Sequence, residues 1–224
     1  MIAYILAGEK GPRLEPWHAP KCLMPLGGIP LLHRIIRHVS STICCDSTIC
    51  VCVGYKADDV KASVASWLGP TDQTIRFSDA GEDATMCERL TRARAEWGTG
   101  HADKPSLVLY GDDCADVDLD ELFKDHKRSK AFMTMTVHEE RLPFGIYREG
   151  KIVDGLPVKV NIGFAVVEPQ AWKYAEGCSG LSDFFNKLTW CVDGQSSVNV
   201  YEHMGRRATI NNPSDIAKAE AEFK

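Results

Sequence analysis

The chain has 224 residues, 44% of them hydrophobic and 25% charged, and its net charge is −5 at pH 7. Its length and apolar content predict one globular domain over residues 1–224, and its acidic balance disfavours nucleic acid as a partner. We find neither an apolar run of membrane-spanning length nor a basic-then-apolar leader, so we expect a cytoplasmic protein without a membrane partner. Nine cysteines without a CxxC pair favour small core residues over zinc ligands or disulfides.

The first predicted strand, residues 2–7, is apolar throughout, as is typical of a strand buried on both faces of a parallel sheet. It ends at Gly8 in a loop that carries Gly11 and Arg13, and Lys21 follows. Glycines let backbone N–H groups turn toward an anion, and the two cations add full charges, so the loop is typical of a phosphate site. An ordinary strand–helix turn with solvated cations is the alternative. The absence of a Walker or GxGxxG sequence argues against a kinase or a dehydrogenase.

Strand and helix patterns alternate after this loop. Apolar residues at helical spacing predict helices over residues 30–40 and 57–67, and short apolar runs predict strands over 48–53, 73–77 and 106–110. This order predicts an α/β fold with a doubly wound, mostly parallel Rossmann-like sheet and helices on both faces. The ligand crevice of such a sheet lies at the carboxyl ends of its strands.

The opening stretch resembles the sugar-1-phosphate nucleotidyltransferases, whose pattern is L-A-G-G-x-G-T-R-L, then P-K, then G-G-x-P-[LI]. This chain reads LAGEKGPRL over residues 6–14, PK at 20–21 and GGIPL over 27–31. Glu9 and Pro12 depart from the pattern, in the loop that the resemblance assigns to the nucleotide. The resemblance implies a fold of the nucleotide-diphospho-sugar transferase type and catalytic roles for Arg13 and Lys21. It also implies nucleotide contacts at Leu6, Ala7, Gly8, Glu9 and Gly11.

Residues 78–90, between the third strand and the next helix, are by residue type a polar loop and a helix start. They resemble the segment D-T-G-E-x-T-M-T-G-G-R-[LI] of glucose-1-phosphate cytidylyltransferases, although they are one residue shorter. The resemblance implies nucleotide contacts at Thr85 and Arg89 and favours CTP among the triphosphates. A capping loop with solvated acids is the alternative.

The fourth predicted strand ends in Gly111-Asp112-Asp113. A carboxylate at the end of a central strand, facing a polyphosphate loop, is well placed for Mg²⁺, which takes one or two carboxylates and completes its shell with phosphate oxygens and water. A cap for a helix over residues 119–127 is the alternative. Residues 110–118, YGDDCADVD, resemble the Y-G-D-G-x-x-D-[VI]-D of cytidylyltransferases. We predict Asp112 as a metal ligand and Gly111 as a nucleotide contact.

The second half of the chain carries the predicted acceptor site. Strands are predicted over residues 132–137 and 158–167, with a hairpin over 143–153 of the kind that covers a crevice as a lid. In the resembling family, a lysine before an N-x-G-[FI] segment meets the phosphate of the sugar, and the Asn-Gly pair contacts the sugar. The matching residues are Lys159, Asn161 and Gly163. The preceding loop is shorter than in that family, and a solvated edge lysine is the alternative at residue 159.

The last third is predicted as a helix over residues 180–189, a strand over 197–201 and a helix that begins at Pro213, with Asn212 as its N-cap. The resembling family places a second Mg²⁺ ligand, usually Asp, just before that helix. One alignment puts Asn211 there, and another puts Thr209 there. Because an amide oxygen can bind a hard cation, we predict Asn211.

We therefore expect a Mg²⁺-dependent nucleotidyltransferase that joins a nucleoside triphosphate, CTP favoured, to a sugar 1-phosphate and releases pyrophosphate. Glu9, Pro12 and the missing second carboxylate leave open a nucleotide-binding regulatory subunit of the same fold with weakened catalysis. Other phosphorylated acceptors and a homo-oligomer also stay open. A glycosyltransferase that uses Asp112-Asp113 as its metal motif fits less well, because a nucleotide sugar has no γ-phosphate for the first loop. The expected enzyme requires Arg13 and Asp112 to face one cleft.

Overall fold

The structure is a computed structural model that describes residues 1–11, 19–42, 47–68, 75–142, 144–189 and 197–223. Within these ranges the strands are β1 (Ile2–Leu6), β2 (Pro25–Leu26), β3 (Ile29–Pro30), β4 (Thr48–Val53), β5 (Ile75–Asp79), β6 (Ser106–Tyr110), β7 (Asp113–Ala115), β8 (Met133–Arg141), β9 (Ile146–Arg148), β10 (Lys151–Val153), β11 (Pro157–Val167), β12 (Val198–His203) and β13 (Arg207–Thr209). The α-helices are α1 (Leu31–Thr42), α2 (Ala57–Leu68), α3 (Met86–Trp97), α4 (Leu119–Ser129), α5 (Leu181–Thr189) and α6 (Pro213–Glu222).

The central sheet of the described residues has seven strands in the order β12-β8-β11-β6-β1-β4-β5. β1 lies between β4 and β6 and is parallel to both, β4 is parallel to β5, and β8 is parallel to β12. Within this sheet β11 alone runs against its neighbours, β6 and β8. The predicted mostly parallel α/β sheet is therefore confirmed.

Helices cover both faces of the sheet, as predicted, and β1 is therefore buried on both sides. Ala3 and Ile5 pack in one apolar cluster with residues of α1, α2, α4 and α6. Tyr4 and its neighbours two residues away pack in a second cluster with residues of α3 and α5. This alternation is the two-residue period of a strand, and it explains why the first predicted strand carries almost no polar residue.

Several predicted boundaries change in the structure. The strand predicted over 73–77 is observed as β5 and ends two residues later, while residues 73 and 74 lie outside the described residues. The hairpin over 143–153 is observed as β9 and β10, although Pro143 also lies outside them. The cysteines at positions 22, 50, 52, 87, 114 and 178 are free and buried, as the absence of a CxxC pair predicted.

A short ribbon that the residue pattern did not predict closes the carboxyl edge of the sheet. β7 leaves the end of β6, and β13 pairs with it antiparallel, so that Thr209 lies opposite Asp113. The ribbon carries the turn before α6 back to the end of β6. Asn212 caps α6 as predicted, because its Oδ1 accepts a hydrogen bond of 3.0 Å from the Ser214 N–H. None of the helices in the described part of the chain has the length and apolar character needed to cross a membrane.

Candidate active site

Lys21 lies at the meeting point of three distant parts of the chain. Its Nζ donates to Asn211 Oδ1 at 2.9 Å and is ion-paired with Asp112 Oδ2. Glu9 Oε2 lies 3.8 Å from the same nitrogen, and the Lys21 side chain is only 7% exposed. Three oxygens therefore surround one ammonium, and two of them belong to the predicted metal ligands.

The backbone around this cluster is fixed by short contacts between elements. The Gly111 N–H donates to the Leu6 carbonyl at 2.8 Å, which joins the carboxyl ends of β6 and β1. A Cβ at Gly111 would lie 2.5 Å from that carbonyl oxygen, so the close approach requires glycine. The Asn211 N–H donates to the Asp215 carboxylate at 2.9 Å. These contacts fix the backbone next to Asp112 and at Asn211, the two residues that contact Lys21 most closely.

A cavity of about 180 Å³ opens beside Asp112. Its walls come from the end of β1 and the loop after it, the loop before α3, and the end of β6. The residues that line it are Leu6, Gly8, Glu9, Lys10, Glu82, Ala84, Met86, Arg89, Tyr110 and Asp112. The structure thus brings the first loop, the segment over residues 78–90 and the predicted metal ligand to one cleft. Arg13 lies outside the described residues, so its predicted role stays a prediction.

Arg89 lines this cavity and joins the end of β4 to the loop before α3. Its side chain is buried, and its guanidinium donates to the Val53 carbonyl at 2.6 Å and to the Glu82 carbonyl at 2.8 Å. A Cβ at Gly8 would lie 2.3 Å from the same guanidinium, and one at Gly54 would lie 1.7 Å from it. Glycine at these two positions therefore makes room for Arg89, in addition to any contact with a phosphate.

Thr85 uses its hydroxyl within the protein. Its Oγ1 accepts from the Glu88 N–H at 3.2 Å, and the Glu88 carboxylate accepts from the Thr85 N–H at 2.7 Å. This reciprocal capping box begins α3 and corresponds to the capping alternative for this segment. The predicted nucleotide contacts at Thr85 and Arg89 stay predictions, and both side chains have protein partners in the structure.

Arg89→Met should lower the free energy of unfolding by about 2 to 4 kcal/mol, because two carbonyls lose their buried donor. Urea unfolding at constant ionic strength measures this change. Arg92→Met is the matched control on the same helix, since Arg92 is 56% exposed and its partner is Glu96. We expect that variant to lie within about 0.5 kcal/mol of the wild type. Equal losses in the two variants would contradict the bracing role of Arg89.

The predicted acceptor residues Asn161 and Gly163 pack against Tyr110. Asn161 donates to the Tyr110 hydroxyl at 3.2 Å and accepts from the Gly163 N–H at 2.9 Å. Gly163 has φ of +71°, and a Cβ there would lie 2.3 Å from the Tyr110 ring. Burial, reinforced by the charges of Asp113 and Asp112, raises the pKa of Tyr110 to about 12. Tyr110 therefore stays a neutral hydrogen-bonding group at physiological pH.

Lys159 lies further out on β11. Its ammonium is ion-paired with Glu202 of β12, and both side chains are about half exposed. An exposed pair of this kind contributes little to stability and separates easily. Lys159 does not line the 180 Å³ cavity, so the structure does not place it beside the first loop.

A second charged cluster, absent from the residue-based predictions, lies behind Asp112. Arg207 donates to both carboxylate oxygens of buried Asp113, at 3.0 and 3.1 Å, and is also ion-paired with Glu140. Burial raises the pKa of the Asp113 carboxyl, and the bonds from Arg207 oppose that shift. Both carboxylate oxygens of Asp113 are therefore bonded to Arg207. This arrangement disfavours the glycosyltransferase alternative, in which Asp112 and Asp113 together form the metal motif. No local signal marked Arg207, because its partner lies 94 residues away.

Comparisons with known proteins identify the family of this chain. Residues 3–148 match the family model described as a MobA-like NTP transferase domain. The chain is 26% identical over 247 residues to the protein named probable glucose-1-phosphate cytidylyltransferase of Bacillus subtilis, covering 96% of this chain and 93% of that relative. It is 30% identical over 199 residues to the glucose-1-phosphate cytidylyltransferase of Salmonella typhimurium, covering 75% of this chain and 76% of that one.

A solved structure extends the likeness to the whole fold. The UTP-bound UGPase from Acinetobacter baumannii superposes with a TM-score of 0.72 at 14% identity, covering 99% of this chain and 92% of that chain. At such identity the superposition shows a shared fold alone. The family match and the 30% identical relative show the family as well, and they confirm the resemblance that the opening motif indicated. The chain belongs to the MobA-like NTP transferase family and is a nucleotidyltransferase.

Proposed function

We propose that this nucleotidyltransferase transfers a nucleotidyl group, CMP from CTP favoured, to a sugar 1-phosphate and releases pyrophosphate. The convergence of Glu9, Asp112 and Asn211 on Lys21, at the edge of a cavity shared with the first loop, carries the proposal. Such a cluster suits a polyphosphate accompanied by a divalent cation. The sugar 1-phosphate and the cytidine base are proposed from the names of the two relatives. The UTP in the structural relative means that the shared fold does not by itself select a base.

In the proposed reaction an oxygen of the sugar phosphate attacks the α-phosphorus in line. A new P–O bond forms there, the bond to the β-phosphate oxygen breaks, and its electron pair leaves with pyrophosphate. The attacking phosphate is already an anion, so the protein contributes position and charge neutralisation without a proton transfer. The loop after β1, with Arg13, would bind the β- and γ-phosphates. Lys21 would neutralise the charge that grows on the α-phosphate.

The donor set around Lys21 fits Mg²⁺, whose preferred ligands are hard oxygens. Among the described residues no group of three His, Cys, Asp or Glu side chains comes together, so amide and phosphate oxygens must complete the shell. Asp112 and Asn211 would hold the ion. Cys22 lies near Asp112, but burial, with the charge of Asp112, raises the pKa of its thiol to about 12, so it stays protonated. When bound, the ion would neutralise charge on the phosphates.

On the acceptor side, Asn161 and Gly163 would contact the sugar from their position against Tyr110. Lys159 would bind the phosphate of the acceptor after leaving Glu202. Because Lys159 and Glu202 are both half exposed, Lys159 can exchange the Glu202 carboxylate for the phosphate of the acceptor at small cost. This arrangement suits a phosphorylated acceptor, and it leaves the identity of the sugar to experiment.

The deciding experiment mixes the full chain with each of four nucleoside triphosphates and a panel of phosphorylated acceptors, and measures pyrophosphate with and without Mg²⁺. Pyrophosphate formed from CTP and a sugar 1-phosphate, and only with the metal, supports the proposal. Pyrophosphate formed only with a non-sugar acceptor would move the assignment to that acceptor. Nucleotide binding without pyrophosphate from any pair would favour a regulatory subunit, which Glu9 in the triphosphate loop and Asn211 in place of a carboxylate would then explain.

A further inference from the structure

We propose that Glu9 is the second carboxylate of the divalent-cation site, acting with Asp112 and Asn211. This inference deepens the proposed function and rests on its requirement for a metal. It assigns a role to a side chain at the position where the resembling nucleotidyltransferases carry glycine.

The geometry around Lys21 carries the proposal. An ammonium is a compact cation, and here it has oxygen partners from Glu9, Asp112 and Asn211. When Lys21 turns toward an α-phosphate, the same three oxygens can share a metal ion. Mg²⁺ binds oxygen at about 2.1 Å, so the Glu9 carboxylate must move inward from its 3.8 Å position. Its side chain is 47% exposed and therefore has room to do so.

The neighbouring charges do not offer Glu9 a closer basic partner among the described residues. Lys10, next in sequence, has its ammonium 3.8 Å from Glu82 on the opposite wall of the cavity. Glu9 instead is paired with the ammonium that Asp112 also binds. Glu9, Asp112 and Lys21 together carry one net negative charge. A divalent cation reverses that sign, so a carboxylate in this loop favours phosphate binding only when the cation is present.

The site would thus keep two carboxylates although the turn before α6 supplies only an amide. The second carboxylate comes instead from Glu9, in the loop after β1, which contacts the same ammonium. Mg²⁺ usually takes one or two carboxylates and completes its shell with phosphate oxygens and water, so this set needs no further protein ligand.

The test measures binding of Mn²⁺ as the metal probe, because manganese prefers the same carboxylate, carbonyl and water ligands. Titrations followed by the EPR signal of free Mn²⁺ use the full chain, alone and with the α,β-methylene analogue of CTP, which cannot react at the α-phosphorus. We expect Glu9→Gln to weaken Mn²⁺ binding about tenfold or more, since one charged ligand is lost. The matched control is Glu82→Gln, which removes a carboxylate from the same cavity, and it should change the affinity less than about twofold.

A relocation variant separates a ligand from a general charge effect. Glu9→Gly should weaken Mn²⁺ binding as Glu9→Gln does, and adding Asn211→Asp should return the affinity to within about threefold of the wild type. Lys21→Met should tighten binding of Mn²⁺ in the absence of nucleotide, because the ammonium no longer competes for the three oxygens. Thermal unfolding of each variant checks that the fold is retained.

The proposal is overturned if Glu9→Gln binds Mn²⁺ as the wild type does while Asp112→Asn does not. Equal losses in Glu9→Gln and Glu82→Gln would overturn it as well, and so would failure of the wild type to bind Mn²⁺ in both titrations. Mn²⁺ binding requires no turnover. If Mn²⁺ binding depends on Glu9 but no pyrophosphate forms, only the proposed function is contradicted. If pyrophosphate forms but Mn²⁺ binding does not depend on Glu9, only this inference is contradicted.

Discussion

Asp112→Ala is expected to lower the rate constant of nucleotidyl transfer by about a thousandfold or more, because it removes the carboxylate that is ion-paired with Lys21 and is proposed to hold the cation. Pyrophosphate release at saturating nucleotide and Mg²⁺ measures the loss. The fold should survive, since Lys21 keeps Asn211 and Glu9 as partners in the variant. Asp112→Asn keeps the shape of the side chain and should show a similar loss, which would assign the effect to the charge.

The control for this experiment is Asp120→Asn, at an exposed acid in the first turn of α4. That variant should turn over at the wild-type rate, because the side chain lies away from the cavity. A wild-type rate in Asp112→Ala would remove Asp112 from the mechanism. Thermal unfolding of both variants distinguishes lost catalysis from lost structure.

Lys21→Ala is expected to slow the chemical step by about a hundredfold to a thousandfold, with a much smaller change in nucleotide affinity. The reason is that its charge is proposed to act on the α-phosphate as negative charge grows there, and interactions of that kind lower the barrier more than they strengthen binding. Single-turnover kinetics with CTP and a sugar 1-phosphate give the rate constant, and binding of the α,β-methylene analogue gives the affinity. An unchanged rate constant would count against the α-phosphate role.

Lys21→Ala should also lower the thermal stability of the protein. Removing the ammonium leaves the carboxylates of Glu9 and Asp112 close together without their shared cation. We expect Lys21→Ala to unfold at a lower temperature than the wild type, and added Mg²⁺ to restore part of that loss. Lys124→Ala is the control, because Lys124 is 64% exposed and is paired with Glu121 on α4. It should change neither the melting temperature nor the rate.

Local sequence patterns were sufficient where burial and turn chemistry act on neighbouring residues. The apolar run of β1 predicted a strand buried on both faces, and the helical spacing of Val60 and Val64 predicted α2. Asp112 is predicted as a metal ligand because it lies at the carboxyl end of a central strand and faces the predicted polyphosphate loop. The boundaries of β5 and β12 were less accurate, since strand ends depend on pairing with neighbours that the pattern does not contain.

Side chains with two plausible environments were the hardest to assign from sequence. Arg89 is predicted as a nucleotide contact from its motif, and in the structure it lines the cavity while its guanidinium is bonded to the backbone at Val53 and Glu82. Glu9 departs from the family's glycine in the first loop, and the structure directs its carboxylate to Lys21. In each instance the deciding partner lies on a different element, and no local pattern specifies it.

The sequence by itself determined the family, the order of the longer strands and helices, and the residues at the ends of the buried strands, because these follow from periodic burial and from short motifs. Only the tertiary structure decided which of those residues share a site. Asn211 reaches Lys21 across 190 residues because β13 pairs with β7, and Arg207 binds Asp113 through the same ribbon. Contacts of that separation depend on how the chain closes in three dimensions, so their partners had to be read from the fold.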